Sequence, residues 1–275
     1  MRKGAPIAAP ALQFAPPMLL YWILSPDEFI FKPMYEPRTY RHWIKDRNPI
    51  SFNVIVEETD LYISASINLK RKAHKLVLKY RDILQKYIER HPDFLTSLKP
   101  LPINDNAPAM IKVMVTSAER AGVGPMAAVA GAIAEPVGTE LLQFTPELIV
   151  ENGGDIYLKS LRKRVIGIYA GESPLSGKIG LEIEGEETPL GIYTSSGTVG
   201  RSLSYGKADT VIVLAGSTTM ADAAATAIGN LIKEPGDIPR GIDSTKGIGE
   251  IRGVTIIIGT DMGVWGEVKI CSITL

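Results

Sequence analysis

The segment STTMADAAAT, Ser217 to Thr226, holds the residue types best suited to gripping a charged ligand. Asp222 and Thr226 stand four apart, so a helix puts them on one face. A carboxylate and a hydroxyl there suit a hard cation such as Mg²⁺, which prefers oxygen ligands and keeps several waters. The structural alternative is a capping box, with Thr219 as N-cap and Asp222 as the N3 acid. Glu151 to Asp155, ENGGD, reads first as a type I′ turn between apolar strands. Its glycines Gly153 and Gly154 would also let backbone approach a ligand, and Asp155 could meet a ribose, a base edge or a metal-bound water. Thr194 to Ser202, TSSGTVGRS, offers hydroxyls, exposed amides and Arg201 as an anion cradle; an ordinary Gly/Ser loop explains it equally. The segment is not a Walker A loop, which needs GxxxxGK[ST]. Gly122 to Ala127 is a lone match to GxGxxA, a dinucleotide fingerprint only where a strand precedes it. Without that strand, a helix start beside a phosphate remains. The histidines are His42, His74 and His91, and none follows. A Ser-His-Asp triad or histidine metal site built from the second half is therefore excluded, and surface or structural roles are expected for all three.

Positioning these segments requires a mixed set of elements. Ser51–Val56 and Leu61–Ser66 alternate as a β-hairpin. Lys70–Glu89 carries apolar residues at three- and four-residue spacing, a helix ended by His91-Pro92. Ala109–Ala121 predicts a second helix broken at Gly122, and Pro125–Glu135 a buried Ala-rich one. Strands are expected at Leu148–Val150, Ile156–Leu158, Val165–Tyr169, Ile179–Ile183, Leu190–Tyr193, Thr210–Ala215, Val254–Gly259 and Val268–Ile273. A helix over Met220–Ile232 interrupts them. This order is no regular βαβ series, so the fold class is α+β.

Bulk properties narrow the partners. The 275 residues balance 30 Lys plus Arg against 30 Asp plus Glu, which argues against a general nucleic-acid binder. One cysteine, Cys271, excludes an internal disulfide or Cys-rich metal site and reads as a small core residue. Phe14–Leu24 is apolar but short and interrupted by Pro16 and Pro17, so no membrane span is expected; Arg2 and Lys3 before it suit a weak signal peptide, but no small-residue cleavage pattern follows, and a cytoplasmic location is expected. Residues 1–33 read as a disordered extension or a mis-assigned start, with Met34 opening a single domain over 34–275. The apolar content permits a homodimer.

Taken in order, Gly153-Gly154-Asp155, Thr194-Ser195-Ser196-Gly197 and Ala221-Asp222 with Thr226 resemble three signatures of the ApbE-like (FAD:protein FMN transferase-like) superfamily. These are its GGD turn, its Thr-Ser-Gly segment and its Ala-Asp-x-x-x-Thr helix. Gly124 to Glu135 is similar to the Gly/Ala-rich helix beside the flavin. The wider run through YEPRTYR, ETDL, GVGPMAAVAGAIAE, ENGGDIYL, TSSGTVGRS and ADTVIV looks like a prokaryotic branch of that superfamily. The resemblance implies a layered fold of mainly antiparallel sheet and packed helices. It implies Mg²⁺ on Asp222 and Thr226. It implies FAD or FMN, a small-molecule nucleotide ligand, near Gly124, Gly153, Gly154, Asp155, Thr194, Ser195, Ser196 and Gly197. Its members cleave FAD and place FMN on a threonine of a protein acceptor. Their histidine-bearing strand and DPxTG turn are missing here; Ser202 to Thr210 stands in that place, with Tyr205 and Asp209 as its candidate substitutes. The expectation is thus a Mg²⁺-dependent enzyme on a pyrophosphate-linked nucleotide. The alternatives are a non-catalytic binding module and, from Gly122 alone, a dinucleotide-binding oxidoreductase, which a helix directly before Gly122 would rule out. No catalytic residue is assigned.

Overall fold

The computed structural model describes residues 50–195 and 205–273. The amino-terminal readings at Phe14–Leu24 and Met34, together with Ser196, Gly197 and Arg201, lie outside the described residues.

The chain opens with the hairpin β1 (Ile50–Val56) and β2 (Thr59–Ala65). Helix α1 (Lys70–Arg90) follows, burying Ala73, Val77 and Leu84 along one stripe, and ends where His91 stacks on Tyr87. A single turn, α2 (Asp93–Thr96), leads to α3 (Ala109–Ala121). A 3₁₀ turn over Pro125–Ala128 runs into α4 (Val129–Leu141). The strands β3 (Leu148–Asn152), β4 (Asp155–Lys159), β5 (Arg164–Gly167), β6 (Ile179–Ile183), β7 (Leu190–Ser195) and β8 (Thr210–Ala215) come next. Helices α5 (Thr218–Leu231) and α6 (Ile238–Thr245) separate them from β9 (Ile251–Ile258), β10 (Asp261–Gly266) and β11 (Ile270–Ser272).

Eight strands form one sheet in the order β1-β2-β3-β4-β7-β8-β9-β10, and every adjacent pair is antiparallel. Sequence-adjacent strands are neighbours except where β5 and β6 leave to join β11 in a small antiparallel sheet. The side-chain period of two then divides the core. Leu61, Ile63, Val150 and Tyr157 pack under α1, α3 and α4. Tyr193, Val211, Val213 and Val254 pack under α5 and α6. Ile149, Leu158, Ile192, Ile212 and Leu214 face the other way and pack with Leu181 and Ile183 of the small sheet. The central strands are therefore covered on both faces, which is why TVIVLA is continuously apolar instead of alternating. The architecture is α+β with an antiparallel sheet, as expected.

Several elements differ from the sequence expectation. The helix expected over Pro125–Glu135 begins as a 3₁₀ turn and continues past Pro136 to Leu141. Strand β10 and helix α6 were not foreseen; each is short and contains glycine, and α6 also carries Pro239 in its first turn. Cys271 is half-exposed on β11 instead of being a core residue. His74 is exposed on α1. Among the described residues no helix is long and apolar enough to cross a membrane.

Candidate functional site

Helix α5 begins in a slot made by glycines. A Cβ on Gly131 of α4 would come within 2.4 Å of the Thr218 carbonyl oxygen, and one on Gly191 of β7 within 2.4 Å of Thr218 Cα. Only bare backbone lets three elements meet this closely. Glu135, one turn after Gly131, then fixes the helix start. Its Oε2 accepts from Ser217 Oγ at 2.8 Å, the Thr219 amide at 3.1 Å and Thr219 Oγ1 at 3.2 Å. A carboxylate here also meets the positive end of the helix dipole.

Ser217, not Thr219, is the N-cap, and its side chain accepts from the Met220 amide. The capping-box reading of Asp222 therefore fails. Asp222 is the fifth residue of α5, beyond the turn whose amides need capping. It is 3% exposed, and its Oδ2 accepts from the Gly131 amide at 3.0 Å. Burial pushes the Asp222 carboxyl up to about 8, although the amides of Gly131 and Ala130 and the Tyr193 hydroxyl pull it down. Among the described residues, no cationic side chain contributes to that shift.

The hairpin β3–β4 supplies the facing wall. Gly153 (φ 70°) and Gly154 (φ 112°) are its two central residues, as a type I′ turn requires. The buried Glu151 carboxylate accepts from the Gly154 amide at 3.0 Å and tightens the turn. Asn152 and Asp155 pair across the hairpin, and Asn152 lies opposite the helix-facing Leu61. Asn152 Nδ2 donates to the Ala130 carbonyl at 3.0 Å. Asp155, 2% exposed, shares that face. The result is an oxygen-rich cluster under α4 and α5: Asn152, Asp155, Tyr193 and Asp222, with the backbone of Ala130 and Gly131.

The expected site residues are thus partly united. Asp155 is on the sheet face that packs under the helices, Gly153 and Gly154 form the turn beside it, and Asp222 is on α5 above that face. Thr226 lies one turn further along α5 and is half-buried. Thr194 adjoins Gly154 through its carbonyl, but strand alternation turns its side chain to the opposite face, beside Ile192 and Ile212. Ser195 ends β7. Gly124 lies against the backbone of Ser97, where a Cβ would meet the carbonyl oxygen at 1.8 Å; packing explains that glycine. Tyr193, Asn152, Glu135 and Ser217 escaped the sequence reading. Only Tyr193 left a usable signal, since the alternation of LGIYTS puts it on one side with Gly191.

Other expectations are corrected. Helix α3 runs directly into Gly122, which is its left-handed C-cap (φ 72°). No strand precedes the GxGxxA match, so the dinucleotide-binding reading fails. Neither candidate for the missing histidine enters the cluster. The Asp209 carboxylate accepts from the Gly259 amide at 2.6 Å in the β9–β10 turn. Tyr205 is exposed, and its amide donates to Asn230 Oδ1 at 2.9 Å.

Among the described residues no three His, Cys, Asp or Glu side chains gather as metal ligands. Mg²⁺ still fits, because it takes one or two carboxylates and otherwise keeps water or phosphate oxygens. A buried carboxylate held by backbone amides, such as Asp222, is the matching kind of donor.

A family model described as AbpE bacteria matches residues 41–246. A UPF0280 protein of Methanocaldococcus jannaschii is 38% identical over 232 residues, covering 82% of this chain and 92% of that one. A UPF0280 protein of Methanopyrus kandleri is 46% identical over 194 residues, covering 69% and 76%. The crystal structure of the ApbE protein from Thermotoga maritima aligns over 80% of this chain and 97% of its own, with a TM-score of 0.50 and 12% identity, which is a likeness of fold.

Proposed function

This chain belongs to the family described as AbpE bacteria, with UPF0280 proteins as its relatives, and from that premise we propose that it is a Mg²⁺-dependent flavin-nucleotide-binding protein of the FMN-transferase kind. Residues 34–275 act as one domain, in the cytoplasm. The observation that carries the reading is Asp222, a buried carboxylate held by backbone amides and a phenol in a cluster otherwise rich in oxygen. Asp222 and Thr226 would hold the cation. Bound there, Mg²⁺ would neutralise phosphate charge. Gly153 and Gly154 let the turn approach the nucleotide, and Asp155 would meet its ribose or a metal-bound water. Ser195, with Ser196 and Gly197 next in the chain, would supply donors for phosphate oxygens, whereas the Thr194 side chain, turned to the other face, would not. In the transfer reaction a threonine hydroxyl of a protein acceptor forms the new phosphoester, and AMP leaves with the electrons of the broken anhydride.

The test is titration calorimetry with FAD in Mg²⁺ and in EDTA, followed by mass spectrometry of FAD incubated with Mg²⁺ and candidate acceptor proteins. Mg²⁺-dependent binding with release of AMP is expected. FAD that neither binds nor breaks sinks the proposal. One observation favours a second reading, a module that binds without turnover: Asp209 is engaged at Gly259, and Tyr205 is outside the cluster. That reading expects tight Mg²⁺-dependent FAD binding with the dinucleotide recovered intact.

A further inference from the structure

The first half of α1 carries Lys70, Arg71, Lys72, His74 and Lys75, with no acidic residue in its first turn. This is the positive end of the helix dipole, where cations are unfavourable and stability alone would place Asp or Glu. Further along α1 the charges are matched: Lys79 by Glu140, Arg81 by Glu57 and Glu58, Lys86 by Asp82. Lys70, Arg71, Lys72 and Lys75 have no acidic partner among the described residues. In a chain whose 30 cations balance 30 anions, the described residues leave this helix end unbalanced.

Bulky apolar groups surround this patch. The Lys72 ammonium lies 3.9 Å from the centre of the Phe144 ring, which is 46% exposed. Ile67, 46% exposed, sits beside it, since Ser66 Oγ bonds Thr145 Oγ1 at 2.7 Å. Lys70 and His74 border a shallow groove with Asn53, Val54 and Ile55, and Ile55 is 58% exposed on the edge strand of the large sheet. Leu78, 47% exposed, continues the outward face of Arg71 and Lys75.

We propose that this face docks on the anionic surface of a phospholipid bilayer. The cations meet lipid phosphates, and Phe144, Ile67 and Leu78 enter the interfacial layer. The apolar groups decide between polyanions. A nucleic-acid backbone rewards the lysines but leaves exposed Ile and Leu side chains without a partner, whereas a bilayer interface takes both. The surface is independent of the Asp222 cluster: it involves the end of α1 next to β1 and Phe144, and no residue of the proposed nucleotide site.

The experiment is co-sedimentation of the full chain with vesicles of phosphatidylglycerol and phosphatidylcholine, and with vesicles of phosphatidylcholine alone. Binding to the anionic vesicles only, weakening with salt, is expected. Replacing Lys72→Gln and Lys75→Gln together should lower the partition coefficient about 25-fold, at about fivefold per cation. Leu78→Ser should weaken binding without changing its salt dependence. These are surface positions, and an unchanged melting temperature verifies that each variant is folded. Equal binding to neutral vesicles, or full binding by the double variant, overturns the proposal. So does capture of a labelled oligonucleotide through these lysines by a protein that ignores vesicles.

Discussion

Asp222 is where two opposing effects meet. Ionising a carboxylate away from water is costly, and two amides plus a phenol recover only part of that cost, so the proton is held up to about 8. A bound divalent cation would tip the balance toward the ionised form. Asp222→Asn should therefore separate folding from binding. The amide keeps an oxygen for the Gly131 N–H and has no charge to desolvate, so the metal-free melting temperature at pH 8 should hold or rise. Mg²⁺-dependent FAD affinity should fall at least tenfold in calorimetry. Undiminished affinity would show that the carboxylate is structural. Tyr193→Phe removes one donor from the same carboxylate. It should cost about 1 kcal/mol in denaturant melts and weaken Mg²⁺-dependent binding less than Asp222→Asn does. A Tyr193→Phe loss equal to that of Asp222→Asn would mean that Tyr193 itself touches the ligand.

At the scale of elements, the contacts that aim Asp222 are backbone contacts of α5 with Gly131 and Gly191. Gly131→Ala and Gly191→Ala should each destabilise by about 1–3 kcal/mol, because the atoms met are main-chain atoms that cannot rotate away. Gly122→Ala is the control. Nothing lies within 4 Å of its added Cβ, so only the left-handed φ is strained, at about 1 kcal/mol. Denaturant unfolding of the three variants checks the order. A dinucleotide fingerprint at Gly122 would instead lose ligand binding there, and FAD titration should show no such loss. The same contrast explains what the sequence could reveal. Helix α1 follows from its own periodicity, α3 from its periodicity and stop signal, and β8 from an apolar run bounded by polar residues. The GGD turn announced itself through two adjacent glycines. The grip of Glu135 on Ser217 and Thr219 spans more than eighty residues, and Gly131 reads locally as a weak spot in a helix. Ser217 and Thr219 are both acceptable caps, so the choice between them waited on where Glu135 came to lie. Long-range backbone proximity leaves no local pattern, which is why the segments carrying Asp155 and Asp222 could be singled out in the sequence while Tyr193, Glu135 and the role of Gly131 could not.

For the whole molecule, the buried proton makes stability depend on pH in a direction unusual for an aspartate. Burial pushes the folded carboxyl up to about 8 from an unperturbed value of 3.8. Between these limits the folded state keeps a proton that the unfolded chain has lost, so stability falls as pH rises across the window. The contribution is complete below about 4 and gone above about 8. The carboxylates of Glu140 and Glu187 act oppositely. The Lys79 and Tyr80 hydrogen bonds hold Glu140 below its ordinary value. Glu187 is also held low: burial raises it, but the Glu184 amide and Lys269 outweigh that. Their support is lost only as the solution becomes acid, and their exposure keeps it small. Between pH 5.5 and 8.5 the Asp222 contribution should dominate. In EDTA the melting temperature should drop by several degrees over that range, at about 2–4 °C per kcal/mol for a chain of this size. Saturating Mg²⁺ should raise the melting temperature more at pH 8.5 than at 5.5, since it binds the form that burial disfavours. Asp222→Asn should flatten both responses. A wild-type melting temperature that stays level from pH 5.5 to 8.5 in EDTA would mean that the carboxylate is ionised in the folded protein without a metal, and the cluster would need a different source of positive charge.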